Sequence, residues 1–211
     1  MELLAARTVV ICTALVIGVC LLLSWRALSA SQVEQASYKV VGTWNQFELR
    51  SYPQSVEAQV NIAGPSRHSM GTGFRTLANY IFGGNANDQA IAMTAPVSRS
   101  REGTEWLLSF TMPSELNKAE LPEPQNRMVQ LVAIPARTMA ALRFPGRATP
   151  KKAESMEELL EAAMADAGLQ AAGEAILAQY DPPTQLPSLR RNEILIPILL
   201  DSDVPDLVGR F

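Results

Sequence analysis

The spacing of apolar positions changes several times along the chain, and each change marks an element. Over 47–52 the residues Phe47, Leu49 and Ser51 alternate with Glu48, Arg50 and Tyr52, the period of two that a half-buried strand requires. Strand character also marks 38–41 and 55–62. Gly64-Pro65-Ser66 interrupts it, and Ser66 is placed to cap a helix. Along that helix Met70, Phe74, Leu77, Ala78 and Ile81 fall on one face, and Gly83-Gly84-Asn85 stops it. Strands are expected again at 93–97, 106–112, 128–134 and 138–144, with Pro113, Pro122 and Pro124 marking the loop between them. Thr149-Pro150 opens a second helix, threonine as cap and proline at the first helical position. Its apolar face carries Ala153, Met156, Leu159, Leu160, Ala163, Met164 and Ala167, and Gly168 closes it. The last strands are expected at 175–180 and 193–200.

Strand runs interrupted by two helices predict an α+β fold, an antiparallel and partly barrel-like sheet with the helices packed against it. The two helices share a similar context, which points to a pseudo-two-fold repeat although the sequences do not visibly repeat. Ahead of this domain, at 38–200, a polar stretch at 31–37 reads as a linker. Residues 1–30 read as a membrane segment and 201–211 as a tail. The run 8–25 carries no charge and is flanked by Arg7 and Arg26, so a helix there, with its flanks, nearly crosses the hydrocarbon core. A cleaved secretory signal is the competing reading, since Ala27, Ser29 and Ala30 follow. The length of the run, and Arg26 standing before any cleavage point, favour an uncleaved single-pass anchor in contact with lipid over 8–28. As an insertion or export signal, the segment predicts a domain on the non-cytoplasmic side.

Composition removes several functions. The chain is 47% hydrophobic and 18% charged, a globular balance, and its net charge of −3 without a Lys/Arg run argues against a nucleic-acid partner. Cys12 and Cys20 both lie in the hydrophobic segment, and His68 is the only histidine. The rest of the chain therefore offers no disulfide, thiol nucleophile or usual zinc ligand set. Gly64-Pro65-Ser66-Arg67-His68 lacks the second glycine of a nucleophile elbow. A non-catalytic binding protein is the expectation.

Several stretches together resemble the SOUL/haem-binding protein family. The central one is Gly73-Phe74-x-x-Leu77-x-x-Tyr80-Ile81-x-Gly83-x-Asn85, followed by Ile91-x-Met93-Thr94-Ala95-Pro96-Val97. Around it stand Phe47-Glu48-Leu49-Arg50-x-Tyr52, Trp106-x-x-Ser109-Phe110-x-Met112-Pro113, and Tyr180-x-Pro182-Pro183 with Arg191-Asn192-Glu193. The resemblance runs from Tyr38 to Pro197. It implies a distorted antiparallel β-barrel with two flanking helices, built from two similar halves. It also implies binding of haem or another tetrapyrrole at a groove beside the first helix, with basic residues near the propionates. In certain animal members a histidine just after the equivalent of the 48–50 strand is a proposed iron ligand; here Ser51 stands there, which puts that ligation in doubt.

The candidates for such a site lie on the first helix. His68 is the one imidazole available to iron, yet at 100° per residue it lies about 120° from Phe74, at the edge of the apolar face. Arg67 lies about 20° from Phe74 and is placed to pair with a propionate, the alternative being a solvated charge at the helix start. Met70, Phe74 and Leu77 would line the groove, or form plain core at helical spacing. A binding module for another apolar ligand or for a protein partner is the competing function.

Overall fold

The computed structural model describes residues 33–64 and 66–199. The membrane segment expected at 8–28 and the tail at 201–211 lie outside the described residues, and among the described residues no helix is long and apolar enough to cross a membrane. Strands β1 (Glu34–Gln35), β2 (Lys39–Thr43), β3 (Glu48–Tyr52) and β4 (Ser55–Ile62) precede helix α1 (Arg67–Ile81). Then come β5 (Thr94–Ala95), β6 (Val97–Glu102), β7 (Glu105–Thr111), β8 (Gln130–Ile134) and β9 (Arg137–Phe144). Helix α2 (Pro150–Asp166), β10 (Ile176–Gln179), a 3-10 turn at Pro187–Leu189 and β11 (Asn192–Pro197) complete the order.

Both helices start where the sequence places them. The Ser66 hydroxyl accepts from the Ser69 amide at 3.1 Å, and the Thr149 hydroxyl from the Lys152 amide at 3.3 Å, each satisfying a donor the helix cannot. Gly168, at φ +73°, takes the left-handed turn that ends the last turn of α2. Two elements depart from expectation. Glu34 and Gln35, within the stretch read as a linker, pair in parallel with Thr94 and Ala95. Strand β6 extends well past 97, through Ser98-Arg99-Ser100-Arg101-Glu102, paired with β7 throughout and with β10 as far as Ser100, although all five of these residues are polar.

Nine strands form one sheet in the order β2-β3-β9-β11-β10-β6-β7-β4-β8, antiparallel throughout. The order contains one pattern twice. Strands β4, β6 and β7 with α1 lie as β4-β7-β6, and β9, β10 and β11 with α2 lie as β9-β11-β10. The halves meet where β6 pairs with β10. Each half also lends a strand to the other, β3 to β9 and β8 to β4.

The barrel expectation is corrected here, because the sheet does not close. Its edges are β2 and β8, with no ladder between them. The physical reason lies in two short links. Pro53 and Gln54 alone join β3, second in the order, to β4, eighth; Pro135 and Ala136 join β8, ninth, to β9, third. These links pull the ends together, but each begins at a proline, which has no amide hydrogen for a ladder. What results is a strongly curled sheet with an open seam.

Register assigns the two faces. Val60 opposite Leu108, Ala58 opposite Phe110, Ile194 opposite Leu142 and Ile196 opposite Ala140 lie on the helix-covered face. There α1 buries Leu77, Tyr80 and Ile81 against β4 and β7, and α2 buries Leu160 and Met164 against β9 and β11. Gly73 lets α1 approach, since a Cβ there would sit 2.7 Å from Ile62 Cγ2 and 3.2 Å from Leu108 Cδ2. Past α1, Asn85 is fully buried; its amide donates to the Tyr80 and Gln89 carbonyls, and its oxygen accepts from the Asn87 and Gln89 amides. Tyr80 and Asn85 therefore serve the fold.

Two predictions follow from this packing. Gly73→Ala should lower stability by about 1–3 kcal/mol in urea unfolding, the usual cost of overpacking; an unchanged midpoint would mean the helix can lift off freely. Tyr80 is buried, with its hydroxyl donating to the Pro122 carbonyl, and burial pushes its pKa from 10.0 up to about 12. The unfolded chain ionises first, so this contribution is intact below pH 10.0 and is lost as pH rises toward about 12. Tyr80→Phe should make the alkaline loss of stability shallower in denaturant titrations across that range.

Candidate functional site

The face turned away from the helices encloses a cavity of about 600 Å³. Its walls differ in character. The first half contributes hydroxyls and polar groups, Ser98 and Ser100 from β6, Ser109 and Thr111 from β7, Glu57 and Gln59 from β4. From the second half come Met139, Ile176 and Leu195, with Tyr52 and Tyr180 beside them. The polar residues of β6 thus have a position that explains them: Ser98 and Ser100 face the cavity, while Arg99 and Arg101 take the helix side near Trp106, at 6.0 and 5.7 Å from its ring. A strap of residues 34–37 forms part of the rim, held by the β1–β5 pairing and by the Ser114 amide donating to Glu34 Oε1 at 3.0 Å.

At one end the cavity is braced by a buried charge cluster. Glu193 on β11 is fully buried and accepts from Arg50 Nη1 at 2.7 Å, Arg191 Nε at 2.9 Å and the Tyr180 hydroxyl at 3.0 Å. Arg50, also buried, donates from Nε to Glu48 at 2.8 Å and lies 4.1 Å from the Tyr38 ring. Arg191 lies 3.8 Å from the Tyr180 ring and donates to Gln35 and Tyr38. Burial lowers the Arg50 pKa, but its hydrogen bonds and the Glu193 charge outweigh that, so the net shift is upward; Arg191 follows the same balance. Burial, reinforced by the Glu193 charge, pushes Tyr180 up, and burial raises Tyr52. Both oxygens of Glu193 are engaged, so this carboxylate braces the wall.

The residues expected on α1 lie on the other face of the sheet. Leu77 is fully buried in the core beneath α1. Met70 is half-buried against the same core, and Phe74 is 39% exposed with its ring edge-on to Phe110, centroids 5.3 Å apart. Arg67 and His68 are exposed in the first turn. None of the five lines the cavity. The groups that do surround it carry no local signal in the sequence. Arg50 faces away from Phe47 and Leu49, toward Glu193 and Tyr52 at the end of the cavity, and is only 3% exposed.

The sequence matches the family model for the SOUL heme-binding protein over residues 33–197. No match was found among curated proteins. Among solved structures, the C-terminal domain of EcmrR superposes with a TM-score of 0.56 at 13% identity, covering 73% of this chain and 97% of that one. A hydrolase encoded by lin2189 from Listeria innocua gives 0.55 at 13%, covering 73% and 92%. EcmrR in its DNA complex gives 0.57 at 14%, covering 72% and 57%. At such identities the likeness is one of fold.

Removing the anion of the cluster leaves two arginines facing each other across a buried site. Glu193→Ala should therefore cost about 3–5 kcal/mol in chemical denaturation, as breaking a buried pair does. A loss below about 1 kcal/mol would show that the cluster does not brace the wall.

Proposed function

The chain belongs to the SOUL heme-binding protein family, and from that membership we propose that it binds haem or a related tetrapyrrole, without catalysis, in the cavity on the helix-free face of its sheet. The observation that carries the placement is the cavity itself. Its volume of about 600 Å³ lies within the range of pockets that hold cofactor-sized ligands. A planar macrocycle can rest its faces on Met139, Ile176, Leu195 and the two tyrosines, while Arg137 and Lys118 offer cations to its carboxylates. The donor set suits the ring better than the iron. Neither histidine nor cysteine is among the lining residues; the thioethers of Met112 and Met139 and the phenols of Tyr52 and Tyr180 are. Burial holds both phenols in their neutral form. Haem bound here would supply its own iron chemistry, and the chain's residues bind, orient and shield the ring.

Part of the same proposal is a membrane tether. The uncharged run at 8–25 supports a single-pass anchor that holds the domain on the non-cytoplasmic side as a carrier, buffer or sensor. A second placement, beside α1, has its own support. Phe74 is exposed next to half-buried Met70, and Arg99, whose pKa burial lowers, has no acidic partner within ion-pair distance among the described residues.

Titration of the full chain in detergent with haemin separates these readings. A saturable Soret shift at about one equivalent is expected, and Ser100→Trp, which fills the cavity from β6, should weaken it by about tenfold or more, or about 1.4 kcal/mol. Phe74→Ala and His68→Ala should leave affinity within about twofold. The reverse pattern would move the site to α1. Scatter without saturation would remove the tetrapyrrole and leave another apolar ligand or a protein partner. Iron-free protoporphyrin should bind within about threefold of haemin, because the lining supplies no strong axial ligand.

A further inference from the structure

The open seam is crossed by an ion pair. Arg137, at the start of β9, reaches Glu57 on β4, Nη2 to Oε1 at 3.4 Å. Among the described residues it is the one ion pair between β4 and β9; the other three join Glu48 and Arg50 on β3 with Arg191 and Glu193 at β11. It is also the loosest. Arg50 and Glu193 meet at 2.7 Å with both partners buried, whereas the Arg137 side chain is 32% exposed.

The two partners are unequally held. Glu57 Oε2 accepts from Gln59 Nε2 at 3.0 Å, so this carboxylate keeps a hydrogen bond without Arg137. Arg137 makes a single side-chain hydrogen bond among the described residues, at the long end of the range, although a guanidinium carries five N–H donors in a planar fork. Both side chains line the cavity, with Lys118 on the same lining. A half-used guanidinium beside a cavity is poised for a bidentate carboxylate, which binds more strongly than the present contact.

We propose that Glu57 and Arg137 form a clasp across the seam, and that a ligand carboxylate takes Arg137 from Glu57 as the ligand enters. Glu57 occupies the place that the ligand's own anion would take beside Arg137. It therefore sets specificity: carboxylate-bearing ligands open the clasp, and neutral ones of the same shape must enter with it closed. The inference rests on the cavity being the tetrapyrrole site.

Protoporphyrin IX and its dimethyl ester, titrated against the full chain in detergent by fluorescence quenching, test this. The free acid should bind about tenfold more tightly than the ester. Arg137→Gln should remove most of that preference by weakening the acid alone, and Glu57→Gln, which leaves Arg137 without its internal competitor, should strengthen the acid by about three- to tenfold. Circular dichroism checks that each variant is folded, and Arg137→Lys, which keeps the charge but loses the fork, should show an intermediate preference. Equal binding of acid and ester, unchanged in every variant, would overturn the clasp while leaving tetrapyrrole binding intact. Binding of neither probe would overturn the ligand reading and the clasp with it.

Discussion

Two links of two residues govern the shape of this protein. Pro53-Gln54 and Pro135-Ala136 each connect strands that stand near opposite ends of a nine-stranded order. An extended chain gains no more than about 3.6 Å per residue, so each link confines the strand ends it joins to about 11 Å. The sheet has to curl until its ends nearly meet. It cannot zip shut there, because the turning residues are prolines and the edge strands β2 and β8 find no ladder. Curl without closure encloses a cavity and leaves it an opening. The helices complete the picture by covering the other face, so that the face left open is the one that holds the ligand-sized space.

The two halves repeat one topology but not one chemistry. The first contributes most of the hydroxyls and the Glu57 carboxylate beside Leu107 and Met112, while the second contributes Met139, Ile176, Leu195 and Tyr180 beside Arg137. A cavity lined by both apolar and polar groups suits a flat ligand with an apolar body and polar substituents. The second half also houses the Glu193 cluster, whose two arginines, with Tyr38 and Tyr180, draw together β3, β10, β11 and the strap ahead of β2. Buried charges of this kind add less to stability than their distances suggest, because desolvation opposes them. Their effect here is geometric: they fix the end of the cavity and tie the strap to its rim.

Much of the fold was legible in local pattern. Ser66 and Thr149 announce their helices because a cap is a local device, and the period-two strands around Leu49, Val60 and Leu108 show their buried face directly. The open seam was not legible, since closure depends on strands 80 or more residues apart meeting or failing to meet. Strand β6 was only partly legible, because Ser98, Arg99, Ser100 and Arg101 carry no apolar signal; its pairing comes from β7 and β10. The cavity was not legible for a related reason. Phe74 falls on an apolar helix stripe that a sequence shows directly, whereas Arg50, Glu57, Arg137 and Glu193 acquire meaning only when register brings them to one face. The family resemblance was readable throughout, and several of its marker residues, Tyr80 and Asn85 among them, maintain the fold.

Which face of the sheet receives the ring decides how this protein holds its ligand. Methionine methyl groups report this, because Met139 lies in the cavity wall while Met70 and Met156 pack on the helix side. Methyl-labelled methionine NMR of the full chain, with and without a diamagnetic metalloporphyrin, measures the ring-current shift at each. A large shift at Met139, with Met70 and Met156 unmoved, is predicted. A shift at Met70 with Met139 silent would contradict binding in the cavity.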